Sequence, residues 1–143
     1  MRDINKIILH CTATPEGRGV SIDTIRQWHL DRGWSDIGYH YIIELDGTIK
    51  EGRPVERQGA HVRGYNKNSI GIAYVGGCDA NMKPKDTRTE AQKIAIDTLL
   101  NKLMNKYINT TLHGHNEFSS KACPSFDVQT EYKDLIEYFK DCA

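Results

Sequence analysis

The sequence predicts an α/β fold, a single domain over residues 1–143 in which a central mixed β-sheet is flanked by helices. Three observations carry this expectation. Short apolar runs, INKIILHC at residues 4–11 and SIGIAYVGG at 69–77, have the length and isoleucine content of buried strands. Longer segments opening at Ser21, Thr89 and Asp127 space their apolar residues with helical period instead. The order runs strand, helix, hairpin, strand, helix, strand, helix, without repeats or low-complexity tracts, as in one sheet covered by helices.

The first strand ends near His10, where the glycine-containing loop TATPEGRG begins. In SIDTIRQWHLDRG, Ser21 is the N-cap, Ile22, Ile25 and Trp28 fall at roughly helical spacing, and Gly33 stops the helix. Asp46-Gly47 lies between the strand-like halves of YHYIIELDGTIKEGR and is the strongest short-range signal for a tight hairpin. Residues 69–77, bounded by glycines, read as a central strand. Thr89 and Gln92 form a capping box for the longest helix, with Ile96, Leu99, Leu100, Leu103 and Tyr107 on one face. A strand over residues 109–115 follows. The last helix, after Asp127, carries Val128, Tyr132, Leu135, Ile136 and Phe139 as its apolar stripe.

Lys plus Arg and Asp plus Glu both number 19, so bulk charge indicates no nucleic-acid or acidic-lipid partner. The apolar stretch near the amino terminus is too short, and too soon broken by His10, to be a secretory signal or a membrane span. Synthesis in the cytoplasm without a signal peptide is expected. Cys11, Cys78, Cys123 and Cys142 are then free thiols or a metal ligand rather than disulfides, and a monomer is favoured.

The stretch LHGHNEFSSKACPSFD, residues 112–127, concentrates groups that bind metals. In a strand, His113 and His115 share a face because side chains alternate, and Cys123 arrives after a loop. Zinc favours imidazole and thiolate, and catalytic sites use three protein ligands. His10, at the end of the first strand, supplies a third. One of the imidazoles at 113 or 115, with His10 and Cys123, makes a two-histidine, one-cysteine set; the bland reading is a core cysteine with surface histidines.

Four ordered blocks decide between these readings: IILHCTAT, IRQWHLDRGWSDIGYHYIIELDGTI, GAHVRGYNKNSIGIAYVGG and GHNEFSSKACPSFD. Together, from residue 4 to about 127, they resemble the type 2 N-acetylmuramoyl-L-alanine amidases, the family shared with peptidoglycan recognition proteins, and among them the small phage amidases. The resemblance implies the fold of that family and one zinc ion held by His10, His115 and Cys123. It implies Tyr39 and Lys121 as catalytic groups, and His61 as a substrate-binding residue of the cleft. It also implies peptidoglycan or muropeptides as partner, and hydrolysis of the amide between N-acetylmuramic acid and L-alanine. The family's recognition-only members typically lack the cysteine ligand, so retention of Cys123 favours an enzyme over a non-catalytic binding module. Within the enzyme class, a phage or prophage wall-lytic role competes with cytosolic muropeptide recycling.

Amide hydrolysis gives each group a task. A metal polarises the carbonyl and activates water, the Lys121 ammonium offsets oxyanion charge, and Tyr39 donates a hydrogen bond or moves a proton. Tyr41, expected on the same strand face as Tyr39, is the rival for that role. Cys11 alternates with His10 and reads as a small buried apolar residue, and His40 points opposite Tyr39. His113 reads as a neighbour of the site or an exposed side chain. Trp28, His29 and Trp34 read as packing or surface residues. Cys78 and Cys142 carry no functional signal.

Overall fold

Four parallel strands and one antiparallel edge strand assemble the main sheet. The computed structural model describes residues 2–142, without the Cys142 side chain, so the reading of that thiol lies outside the described residues. Among the described residues seven strands form: β1 (Lys6–Cys11), β2 (Thr14–Pro15), β3 (Tyr41–Ile43), β4 (Ile49–Glu51), β5 (Ser69–Tyr74), β6 (Gly77–Cys78) and β7 (Thr111–Gly114). Five of them make the main sheet in the order β4-β3-β5-β1-β7, and β2 pairs with β6 beside it. β1 runs parallel to β5 and β7, and β3 parallel to β5, while β4 is antiparallel to β3. The sheet is therefore mixed, with β5 at its centre as expected. At the Asp46-Gly47 turn, the Gly47 N–H donates to Glu44 O at 2.9 Å and Gly47 sits at φ +87.

Helices α1 (Ile22–Asp31) and α2 (Glu90–Lys106) cover opposite faces. Alternation along β1 sends Ile7, Leu9 and Cys11 to one face, where they meet Ile96, Leu99, Leu100 and Leu103 of α2 in the larger core. On the other face Ile42, Ala73 and Val75 meet Ile25 of α1. Ser21 caps α1 by accepting from Thr24 N. The α2 capping box is present in both directions, between Thr89 and Gln92. No helix among the described residues is long and apolar enough to cross a membrane.

Three local expectations need correction. β7 ends at Gly114, and His115 opens a 3-10 turn, His115–Glu117, so His113 and His115 do not share a strand face. The final helix divides into α3 (Val128–Glu131) and α4 (Lys133–Cys142) at Tyr132, whose hydroxyl is drawn to Arg88 Nη1 at 2.8 Å. β3 begins only at Tyr41, so the alternation that would place Tyr39 and Tyr41 together does not extend back to residue 39. Tyr41 packs with the α2 face and Tyr39 with the α1 face. The segment before β3 is held by loop partners instead: Arg53 donates to the carbonyls of Asp36, Ile37 and Gln58, and its backbone N–H to that of Tyr39.

Candidate metal centre

Open α/β sheets present sites at the carboxyl ends of their strands, and three chain segments converge there. His10 is the fifth residue of β1, paired in register with Ala73 of β5, and its side chain points to the α1 face. His115 follows β7 directly. Cys123 stands on a loop anchored at several points: Tyr74 Oη donates to Pro124 O at 2.6 Å, Ser125 Oγ to Gly77 O at 2.8 Å, and Asn116 Nδ2 to Phe126 O at 3.1 Å. The Cys11 N–H donates to Cys123 Sγ at 3.1 Å. Cys11 is a buried member of the α2-side core, as expected, but its thiol stays next to that of Cys123.

The ligand atoms of His10, His115 and Cys123 lie within 4.8 Å of one another, so these three residues could hold a metal ion. Cys123 Sγ is 3.8 Å from His10 Nδ1. His115 Nδ1 is buried and has no hydrogen-bond partner among the described residues, a condition that native proteins avoid unless another ligand satisfies the atom. The neighbouring Cys11 thiol, and then burial, push the Cys123 thiol up, so a thiolate there needs a cation. Burial, reinforced by the other imidazoles and Lys121, holds His10 well below its ordinary value. Burial and Lys121 also lower His115. Both imidazoles are therefore neutral near pH 7, the form that binds metal.

Behind His10 stands His61. Its Nδ1 is 2.8 Å from His10 Nε2, and its Nε2 is 3.2 Å from Ser69 Oγ. With His10 Nδ1 turned toward Cys123, its proton sits on Nε2 and is donated to His61, whose own proton then faces Ser69. His61 borders the cleft with its ring, but its polar atoms are committed to His10 and Ser69. Gly71 makes this packing possible, since a Cβ there would lie 2.6 Å from the His61 ring.

A cleft of about 510 Å³ opens over the cluster. Tyr39 lines it, its ring centroid 5.2 Å from that of His10. Burial first, then Cys123 and Cys11, push its phenol up and keep it protonated. Lys121 stands exposed on the rim. His113 stays out of the cluster, bonded to Glu117 Oε1 at 2.8 Å and Thr111 Oγ1 at 2.7 Å. His40 is also elsewhere, accepting from Gly71 N on its Nδ1 at 3.0 Å.

His29 keeps its reading as a packing residue, 5% exposed, and its ring also lines the cleft. Its Nδ1 accepts from Gly38 N at 2.8 Å. The signal was available: His29 lies four residues after buried Ile25, so it belongs to the inward stripe of α1, whereas Trp28 is 38% exposed. Trp34 and Arg32 also reach the cleft.

Comparison with known proteins matches residues 1–126 to the family model of N-acetylmuramoyl-L-alanine amidases. The chain is 46% identical to the endolysin of Escherichia phage T7 over 123 residues, 86% of this chain and 82% of that protein. Its fold superposes on the N-acetylmuramoyl-L-alanine amidase LysC from Clostridium intestinale with a TM-score of 0.79 at 33% identity, covering 94% of this chain and 86% of that one. Bumblebee PGRP-SA gives a TM-score of 0.79 at 30% identity, over 96% and 84% of the two chains.

Proposed function

Because the chain belongs to the N-acetylmuramoyl-L-alanine amidase family, we propose that it is a zinc-dependent peptidoglycan amidase that cuts between N-acetylmuramic acid and L-alanine. One observation carries the zinc reading: two neutral imidazoles and a thiol converge within 4.8 Å, and one of the imidazole nitrogens is buried without a partner among the described residues. Two nitrogens and one sulfur suit zinc, and three protein ligands match a catalytic rather than a closed structural site. The chemistry that zinc supplies when bound is Lewis acidity toward a carbonyl and toward water.

The chain's own residues supply the rest. His61 fixes the ring orientation and tautomer of His10, as outer hydrogen-bond partners of metal-binding histidines do. Tyr39 stays a neutral phenol beside His10 and so holds a proton to donate to an oxyanion forming on the amide carbonyl. Lys121 places an ammonium on the rim, where it offsets the same charge. Arg32, Arg63 and Lys121 line the cleft, and among the described residues no carboxylate does, which suits the acidic groups of a stem peptide.

Similarity to phage endolysins supports a wall-lytic role, in which the enzyme is made in the cytoplasm and reaches the wall when another factor releases it. Recycling of cytosolic muropeptides is the competing use of the same chemistry. Digestion of purified sacculi, with products identified by mass, tests the activity. New L-alanine amino groups without new reducing sugar ends are expected, and new reducing ends would refute the assignment.

A further inference from the structure

Tyr65 and Phe118 stack beside the cleft with ring centroids 4.2 Å apart and planes inclined by 35°. They come from the two loops that carry His61 and His115. The Tyr65 N–H donates to Val62 O at 3.0 Å, and Asn66 Oδ1 secures that turn by accepting from the N–H groups of His61 and Val62. Phe118 ends the 3-10 turn begun by His115, donating its N–H to His115 O at 3.0 Å, and lines the cleft. The His113 ring supports it edge-on at 5.1 Å. The pair is thus fixed in place, yet Tyr65 leaves 41% of its surface in water. A preoriented aromatic surface left open on the rim of a cleft is a binding feature more than a folding one.

Resting on the amidase reading of the metal centre, we infer that Tyr65 and Phe118 form a subsite for a sugar ring of the glycan strand, next to the muramoyl residue whose amide is cut. A β-1,4-linked N-acetylhexosamine presents an apolar face of C–H groups and keeps its hydroxyls at the ring edge, which fits an aromatic plane open to water. The lactyl group places the muramoyl ring only a few bonds from the scissile amide. Phe118 lies three residues beyond the ligand His115, roughly 6 Å along a 3-10 turn, so the next sugar falls within reach. Charge sorts the two arms of the substrate: stem-peptide carboxylates suit the cationic wall, and the neutral glycan suits the aromatic rim.

The test is steady-state kinetics on two soluble substrates that share one stem peptide, the first carried on a single muramoyl residue and the second on a tetrasaccharide. The wild type should show a lower KM for the tetrasaccharide substrate. Tyr65→Leu and Phe118→Leu keep apolar volume but remove the ring faces. Each should raise that KM on the order of 3- to 10-fold, the size of one aromatic stacking contact, with kcat within about twofold and the single-sugar KM almost unchanged. Tm and zinc stoichiometry check that the variants are folded. Tyr138→Leu is the control, because Tyr138 stacks on Phe139 in α4, which packs on the α2 face of the sheet, and it should leave both KM values alone. Equal KM values for the two substrates in the wild type, or unchanged values in both rim variants, would overturn the subsite while leaving the amidase intact. Failure of the wild type to release L-alanine amino groups from either substrate would overturn the amidase reading and the subsite with it.

Discussion

His10 is the residue on which the centre turns, since its Nδ1 faces Cys123 and its Nε2 meets His61. Removing a ligand and removing a positioning partner should therefore have different signatures. Cys123→Ala should lose both stoichiometric zinc and wall-lytic activity, and chelation of the wild type should abolish activity that added zinc restores. Retention of zinc and activity by Cys123→Ala would move the centre elsewhere. His61→Ala leaves all three ligands in place, so zinc should still bind, but about 10- to 100-fold more weakly. Competition against a chelator of known affinity measures this, and an unchanged affinity would remove His61 from its role behind His10. Tyr39 belongs to a third kind: Tyr39→Phe removes one oxygen and should cost something like 100-fold in rate, about 2.7 kcal/mol, at constant zinc content. Tyr41→Phe is the control and should be nearly silent, because Tyr41 packs on the opposite face of the sheet. Full activity in Tyr39→Phe would transfer the oxyanion role to another donor.

Among the elements, α2 shows how a local signal and a tertiary one coincide. Thr89 Oγ1 accepts from Gln92 N at 3.0 Å, and Gln92 Oε1 accepts from Thr89 N at 2.9 Å. The Gln92 carboxamide also donates to Ile43 O and Val75 O, tying the helix start to β3 and to the end of β5 while fully buried. Thr89→Ala should cost about 1 kcal/mol, the usual loss of an N-cap. Gln92→Ala should cost about 2–3 kcal/mol, because it also strips two carbonyls of their donor in the interior. Urea denaturation would measure both, and the reverse ranking would show that the box outweighs the carbonyl contacts. The box was legible from Thr89 and Gln92 because it is local, as were β1, the Asp46-Gly47 hairpin and the stripe of α2. Less legible was where side-chain contacts, near or far in sequence, override the alternating pattern. β7 stops at Gly114 because Glu117 Oε2 accepts the Gly114 N–H at 2.7 Å and starts a turn. Tyr39 faces the cleft because Arg53 and Gly38 contacts override alternation. Likewise the three candidate ligands could be chosen only by resemblance, since spacing alone left His113 and His115 equivalent.

At the scale of the whole molecule, two buried histidines outside the ligand set link the fold to pH. His29 Nδ1 accepts from Gly38 N and His40 Nδ1 from Gly71 N, so each must be unprotonated at that atom for its backbone contact to exist. Burial, with Arg32 and Arg53 nearby, lowers His29 to about 4, and burial also lowers His40 to about 4, below the ordinary 6.5. The unfolded chain therefore binds more protons between pH 6.5 and 4, and stability must fall as pH drops through that window. Above about 6.5 the contribution is fully present. Asp36 and Asp86 are held below the ordinary carboxylate value by hydrogen bonds from Arg26 and Arg88 that outweigh their burial, so their share is lost only at lower pH. Each histidine should account for about 2 kcal/mol between pH 7 and pH 4.5. His29→Asn separates this from the titration of the metal ligands, because an asparagine oxygen can accept the Gly38 N–H and does not titrate. With a chelator present in both proteins, urea midpoints at pH 7 and pH 4.5 should differ less for His29→Asn than for the wild type, by about 2 kcal/mol once converted through the m-value. Equal differences in the two proteins would mean that His29 is protonated in the folded state without loss of its contact to Gly38, and that the acid sensitivity of the fold lies in other groups.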